Sequence, residues 1–332
     1  MKKQFHMLFL AVLMMFASWS KAQDIHFSQF NASPLTLNPA MAGVLLCDYR
    51  FVANYKNQWS SVTTPYRTLN ASYDMRLQRK STYDSYGSIG VNFFADKAGD
   101  SEFSTNKLDL FLSYNKALNS RGDQFVSVAI QGGIAQRSIN EAALTFDSEW
   151  TEGVKEVIPS NNYIFGDVGL GALWYYTPQK KANSFYAGMG LWHLNQPVQS
   201  FFGDPTDKLY SRMVIHGGGQ LGLGKQFFMM PSAVYYKQGP HYELTFGSYF
   251  KFKRSVKKND MTAFYIGSWY RMGDAMVAAV RVDMSRINIG LSYDFNISSL
   301  SNASHTLGGI ELSLIYQGCF TNKKLSVFCP VL

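Results

Sequence analysis

Residues 287–295 read INIGLSYDF, in which Ile287, Ile289, Leu291, Tyr293 and Phe295 alternate with Asn288, Gly290, Ser292 and Asp294. Successive side chains of an extended strand point to opposite faces, so one face of this stretch is apolar and the other is polar or small. The same period recurs in LDLFLSYN, where Leu108, Leu110, Leu112 and Tyr114 oppose Asp109, Phe111, Ser113 and Asn115, and again in IELSLIY at 310–316. One such strand fits a soluble sandwich as well as a membrane barrel. The number and length of the strands separate the two.

Alternation places strands near 48–59, 65–77, 84–94, 103–117, 123–137, 163–176, 182–194, 208–222, 225–237, 241–252, 261–272, 274–284, 286–296 and 308–318, fourteen in all. Most are far longer than the roughly five or six residues usual in a globular protein. They match the roughly nine to eleven residues that a tilted strand needs to cross a bilayer. After residue 22 no apolar run approaches the length of a membrane helix, and no long stretch keeps a helical period. The 25 Phe, 20 Tyr and 27 Gly against 10 Pro also suit a β protein. The expected fold is all-β: a transmembrane antiparallel β-barrel of about 14 strands over 48–318, of the outer-membrane kind.

Lys2 and Lys3, an apolar core over 7–17 and the small-residue site Ser20-Lys21-Ala22 read as a signal peptide over 1–22, cleaved to leave Gln23 first. The apolar run is short for a membrane anchor, and no cysteine follows the cleavage site to carry a lipid. Without Lys2, Lys3 and Lys21, 28 of the 31 basic residues remain against 23 acidic ones, and the formal charge falls from +8 to +5. That balance is too mild to argue for nucleic acid as a partner.

Between leader and barrel, residues 23–47 form an N-terminal plug or docking segment. Its stretch QFNASPLTLNPAMAG, 29–43, is broken by Pro34 and Pro39, which deny it a strand ladder, while Leu35, Leu37 and Met41 keep it from open water. It is expected buried at the periplasmic mouth or held by a partner, with Asn38, Pro39 and Gly43 as candidate partner contacts. Residues 319–332 form a C-terminal periplasmic tail.

With both termini periplasmic, connections after odd-numbered strands lie outside. Those carry Asp96, Asp100, Glu102, Glu141, Asp147, Glu149, Glu152, Glu156, Asp204 and Asp207. The periplasmic turns carry Arg79, Lys80, Arg121, Lys180, Lys181 and the run Lys253, Arg254, Lys257 and Lys258. Solvated turns collect charges by chance; the functional reading is a basic inner rim that docks an acidic periplasmic partner, with Lys253, Arg254, Lys257 and Lys258 as its contacts. The long connections 138–162 and 195–207 fall outside, as this orientation requires.

Other constellations read as structure. His193, His216 and His241 lack metal-ligand spacing. GGGQLG at 217–222 satisfies G-x-G-x-x-G but ends in a turn and another strand, where a dinucleotide site needs a helix. Ser200, His193 and Asp204 lie near one another in sequence without a nucleophile motif, so no enzyme is expected and no cofactor is implied. Trp174, Tyr175, Tyr176, Phe227 and Phe228 fit interfacial girdles, and Arg271 and Asp274 can pair across the tight turn in YRMGD. Closing the barrel brings Cys47 near Cys319 at the periplasmic rim, where a disulfide is permitted; Cys319 with Cys329 competes, and one cysteine stays unpaired.

QDIHFSQFNASPLTLNPAMAG, YRFVANYKNQWSS, PYRTLNASYD, GSIGVNFFADKAGD, FGDVGLGALWYY, FYAGMGLWHLNQP, PSAVYYKQ, YIGSWYRMGDAM, INIGLSYDFNISSL and GGIELSLIY follow one another in an order that resembles the PorP/SprF family of type IX secretion outer-membrane proteins. The resemblance spans essentially the whole mature chain. It implies a non-enzymatic component that exports or anchors secreted surface proteins bearing C-terminal sorting domains, such as gliding adhesins. It further implies work with the periplasmic secretion ring and peptidoglycan-linked lipoproteins. The family pattern often places Arg where this chain has Lys56, which keeps the charge and loses the planar fork. A passive or fatty-acid-type transport channel is the alternative; it needs a continuous polar path, whereas inward-facing Phe111, Phe125 and glycine-rich strands point to a filled lumen.

Overall fold

In this computed structural model the alternating segments pair edge to edge until the last meets the first. Residues 24–61, 64–77, 85–146, 149, 151, 153, 158–178, 183–255, 262–299 and 301–320 are described. The leader, Arg79, Lys80, Asp147, Glu152, Glu156, Lys180, Lys181, Lys257, Lys258 and the tail with Cys329 lie outside them. The strands are β1 (Tyr49–Gln58), β2 (Tyr66–Arg76), β3 (Ser85–Ala98), β4 (Phe103–Ala117), β5 (Gln124–Ser138), β6 (Asn162–Tyr176), β7 (Ser184–Trp192), β8 (Arg212–Gly222), β9 (Phe227–Gln238), β10 (His241–Lys253), β11 (Ala263–Arg271), β12 (Ala275–Met284), β13 (Ile287–Asn296) and β14 (Leu307–Gly318). Each pairs with its neighbours in sequence, and β1 closes on β14, Tyr49 opposite Gly318. All fourteen expected strands are present; β3 runs on to Ala98, and β8 starts later than expected, at Arg212.

Register fixes the two faces, because a slip of one residue would invert every side chain. Leu110, Leu112, Ile130 and Ile266 stand on the outer wall, more than half exposed, while Asp109, Ser113, Asn115, Ser127, Asp294 and Glu311 are buried inside. An apolar band that recurs along the outer wall, around a polar interior, is the surface of a membrane-spanning barrel. The same alternation splits the expected girdle pairs. Trp174 and Phe227 face outward, but Tyr175 and Phe228 turn into the lumen, where Tyr175 stacks on Phe125 with ring centroids 5.1 Å apart.

The two ends differ. One carries a disulfide between Cys47 and Cys319, Cα atoms 4.8 Å apart, and is called the bridge end below. The other carries the long connections 139–161 and 193–211 and is the long-loop end.

Residues 24–46 fill the lumen. The segment folds as a 3-10 turn (Phe30–Ala32), one α-helical turn (Pro34–Leu37) and a second 3-10 turn (Pro39–Met41). Both prolines stand at the start of a turn, where a missing N–H costs nothing. Leu35, Leu37, Met41 and Val44 pack with the inward-facing Phe111, Phe125, Leu173 and Trp192 in one buried cluster. Residues 43–46 lie at the bridge-end mouth, and the segment reaches further than a mouth plug. Asp24 contacts His193, Arg212 and Gln238, all at the long-loop ends of their strands. The chain therefore crosses the lumen once before it turns back as β1.

Glycines on the wall and in the segment itself allow this close approach. A Cβ on Gly171 would stand 2.3 Å from Asn38 Oδ1 and 2.6 Å from the Ala40 nitrogen. Gly43 has φ +73°, and its Cβ would overlap Ser88 Oγ at 1.9 Å. Gly171→Ala is expected to keep the barrel and lower its stability by about 1–3 kcal/mol, with faster amide exchange over 38–44. Gly132→Ala, where nothing lies within 4 Å, is the control and should change neither; equal effects of the two in urea unfolding and exchange would contradict the packing described.

Candidate functional site

An irregular segment inside a barrel needs partners for its own backbone, since it has no ladder. The wall supplies them in three places. Nearest the long-loop end, Asp24 accepts from His193 Nε2 and lies within reach of Arg212 (3.8 Å) and Arg137 (3.7 Å). The second ring nitrogen of His193 meets Asp167 at 2.7 Å, and Asp167 in turn meets Lys107, which also lies 3.3 Å from Asp109. Lys107 and Arg212 both lean on the Trp192 ring, at 5.2 and 5.8 Å. Anions and cations alternate through this buried chain, the condition under which charge can be held away from water.

The second place is the β13–β14 wall. Glu311 accepts the backbone N–H of Ser28 (2.8 Å) on one oxygen and that of Gln29 (2.9 Å) on the other. Lys56 Nζ stands 3.0 Å from the first of these oxygens and 3.1 Å from the His26 carbonyl. Ser28 Oγ donates to Asp294 at 2.6 Å, and His26 Nε2 lies 3.0 Å from Glu243. Arg271, 2% exposed, ties these carboxylates together at 3.2 Å from Asp294 and 3.5 Å from Glu243. It also makes the expected turn pair with Asp274 at 3.1 Å, so the pair belongs to a luminal hub, not to a surface turn alone.

The third place is at the bridge end. Arg50 forks onto Asp74 with two 2.9 Å bonds and donates to the carbonyls of Met41 (3.1 Å) and Val44 (3.3 Å). Asp74 accepts the Gly43 N–H at 2.8 Å, and Arg76 donates to the carbonyls of Gly43 (3.0 Å) and Leu45. Ser127 and Ser113 donate to the carbonyls of Ala40 (2.7 Å) and Ala42 (2.8 Å). The segment is thus bonded to the wall along its whole length.

The sequence model described as type IX secretion system membrane protein PorP/SprF matches residues 19–316. The chain belongs to the PorP/SprF family. No curated protein matches it. Among solved structures it is similar to the CymD monoaromatic hydrocarbon channel, at 11% identity over 87% of this chain and 93% of that one, TM-score 0.47. It is also similar to the P. putida toluene transporter TodX, at 10% over 86% and 93%, TM-score 0.48, and to a Pseudomonas aeruginosa FadL homologue, at 8% over 81% and 90%, TM-score 0.46. At these identities the likeness is one of barrel architecture.

In this PorP/SprF barrel the expected partner contacts divide. Asn38, Pro39 and Gly43 lie inside the lumen against the wall, and the Gly43 N–H is held by Asp74. Asn38 is fully buried; its Oδ1 accepts from Ala40 N–H (2.9 Å) and its Nδ2 donates to the Ala172 carbonyl (3.0 Å) beside His216. Lys253 and Arg254 lie at the bridge end, Lys253 turned inward over the Phe228 ring at 4.8 Å and Arg254 exposed. Asp96, read as an outer-loop charge, is instead buried and accepts from Thr68 at 2.7 Å. His193, Ser200 and Asp204 do not converge: Ser200 Oγ accepts from the Asp204 N–H, and His193 is taken by Asp24 and Asp167. Lys56 reaches Glu311 through a single contact, as a point charge does.

Sequence reasoning missed Asp24, Lys107, Asp167, Asp294 and Glu311 as a set. For Lys107, Asp167, Asp294 and Glu311 the signal was present as charged residues inside strands, in phase with the polar face; Asp24, outside any strand, carried none. Glu311→Leu strips Lys56 and two amides of their anion and is expected to cost about 3–5 kcal/mol in urea unfolding. Adding Lys56→Met should recover part of that loss; a double variant as unstable as the sum of the two singles would contradict the coupling.

Proposed function

We propose that the protein is a closed, non-enzymatic docking component of type IX secretion in the bacterial outer membrane. On this reading the leader is cleaved, the bridge end faces the periplasm and the long-loop end faces outward. The long-loop end binds or anchors secreted surface proteins with C-terminal sorting domains, gliding adhesins among them. The basic bridge-end rim, with Lys253 and Arg254 and with Lys257 and Lys258 beyond them in sequence, docks the secretion ring and peptidoglycan-linked lipoproteins.

The observation that carries the reading is the filled lumen. A passive or fatty-acid-type channel needs a continuous path, and residues 24–46 stand in it, packed against Phe111, Phe125 and Trp192 and bonded to the wall through Glu311, Asp74 and Ser127. A barrel that passes nothing through its centre can still act through its two rims, where charge and loop length already differ.

Affinity capture of the tagged protein from outer membrane is expected to recover ring components and lipoproteins together with a large substrate bearing a C-terminal sorting domain. Replacing Lys253, Arg254, Lys257 and Lys258 by Gln should reduce ring recovery several-fold and spare the substrate, since rim charges act chiefly through long-range attraction. Recovery of neither class by the wild-type protein would refute the reading.

A further inference from the structure

The connection 193–211 does not stand away from the barrel. Its two arms fold back on each other, with Val198 bridged to Lys208, the Gln199 N–H donating to the Asp207 carbonyl at 2.8 Å and the Leu209 N–H to the Pro197 carbonyl at 2.9 Å. The folded unit leans on β4, β5 and β6. Phe201 meets the rings of Tyr163 (4.8 Å) and Phe103 (6.2 Å), and Leu209 is buried with Ala135 and Phe165. Those wall residues share the inward phase of Asp109, Gln131 and Asp167 on the same strands, so the connection covers one side of the long-loop mouth.

One carboxylate fastens this cover. Where the chain leaves β7, His193 Nε2 meets the Asp24 carboxylate; where it returns, Arg212 at the head of β8 lies 3.8 Å from the same group. Gln238 accepts the Asp24 N–H at 2.8 Å, and its amide donates to the Asp24 carboxylate at 3.2 Å and to the Tyr210 carbonyl at 3.3 Å. Arg137, 3.7 Å from Asp24, donates to Gln199 in the middle of the cover. The connection is thus held at its start, middle and end by groups gathered on Asp24. Its backbone needs that hold. His193 and Gln196 have φ +56° and +43°, a region that residues with a Cβ rarely adopt and keep only where the surroundings impose it.

We propose that 193–211 is a lid on the long-loop mouth and that the Asp24 carboxylate is its catch. With Asp24 seated, the lid is down. When the start of the luminal segment withdraws, Arg137 and Arg212 lose the anion they share, Gln238 lets go of Asp24, and the lid lifts off Phe103, Tyr163 and Phe165. Cations left in a partly buried site without their counter-charge favour the open arrangement, in which water reaches them. The coupling is mutual: whatever lifts the lid from outside loosens the start of the segment by the same free energy. The lumen then has two closures at this end, the packed segment and the lid above it, and Asp24 joins them.

Lys208 gives the lid a direct reporter. It is exposed, while Leu209, across the bond that the protease Lys-C cuts, is buried, so cleavage there needs the lid to open. The full-length barrel in detergent is compared with Asp24→Gly, and heat-modifiable migration confirms folding; Asp24→Asn carries the same comparison if the glycine variant does not fold. Cleavage after Lys208 and amide exchange over 194–210 should rise about tenfold in Asp24→Gly, and acetate should reverse the rise while chloride at equal ionic strength does not. Gly171→Ala, which disturbs the segment at Asn38 and Ala40, should leave the lid as in the wild type. From the other side, Phe201→Ala should speed amide exchange over 24–27. Asp24 variants cut no faster than the wild type, equal acceleration in Gly171→Ala, rescue by chloride as well as by acetate or by neither, or unchanged exchange over 24–27 in Phe201→Ala would each overturn the proposal.

Discussion

A buried carboxylate that grips two backbone amides sets much of this structure. Glu311 belongs to a barrel strand, yet both of its oxygens are turned to the N–H groups of Ser28 and Gln29, and Lys56 balances its charge from β1. A segment with no ladder and only single helical turns can occupy the lumen only if such partners exist for most of its remaining polar backbone. The inward polar face of the strands therefore does more than tolerate water; it is the complement of residues 24–46.

The two faces of each strand answer to different solvents. Outward positions are apolar and need only suit hydrocarbon. Inward positions must match one another and the segment, so they carry paired charge, glycines where the backbone passes close, and aromatics where the turns need packing. The segment crosses the lumen from Asp24 at the long-loop end to Cys47 at the bridge end, and so it couples the two rims physically.

The barrel was legible in the sequence because a two-residue period is a local signal, and INIGLSYDF carries it without help from distant residues. The path of 24–46 was not. Its prolines and leucines announced a buried irregular segment, but Ser28 finds Glu311 across 283 residues and Asp24 finds His193 across 169, and no local pattern encodes such distances. Asn38, Pro39 and Gly43, expected as partner contacts, stand within this segment as a cap, a turn start and a left-handed residue. Tyr175 and Phe228 were misplaced by reading clusters of aromatics as units when the strand period divides them.

The central claim is that residues 24–46 close the lumen. Single-channel recording in planar bilayers tests it most directly, comparing the wild-type barrel with a variant lacking 24–45. The wild-type protein should give no conductance steps, and the shortened one, still folded by heat-modifiable migration, should conduct. Steps of equal size from both proteins would contradict a closed barrel.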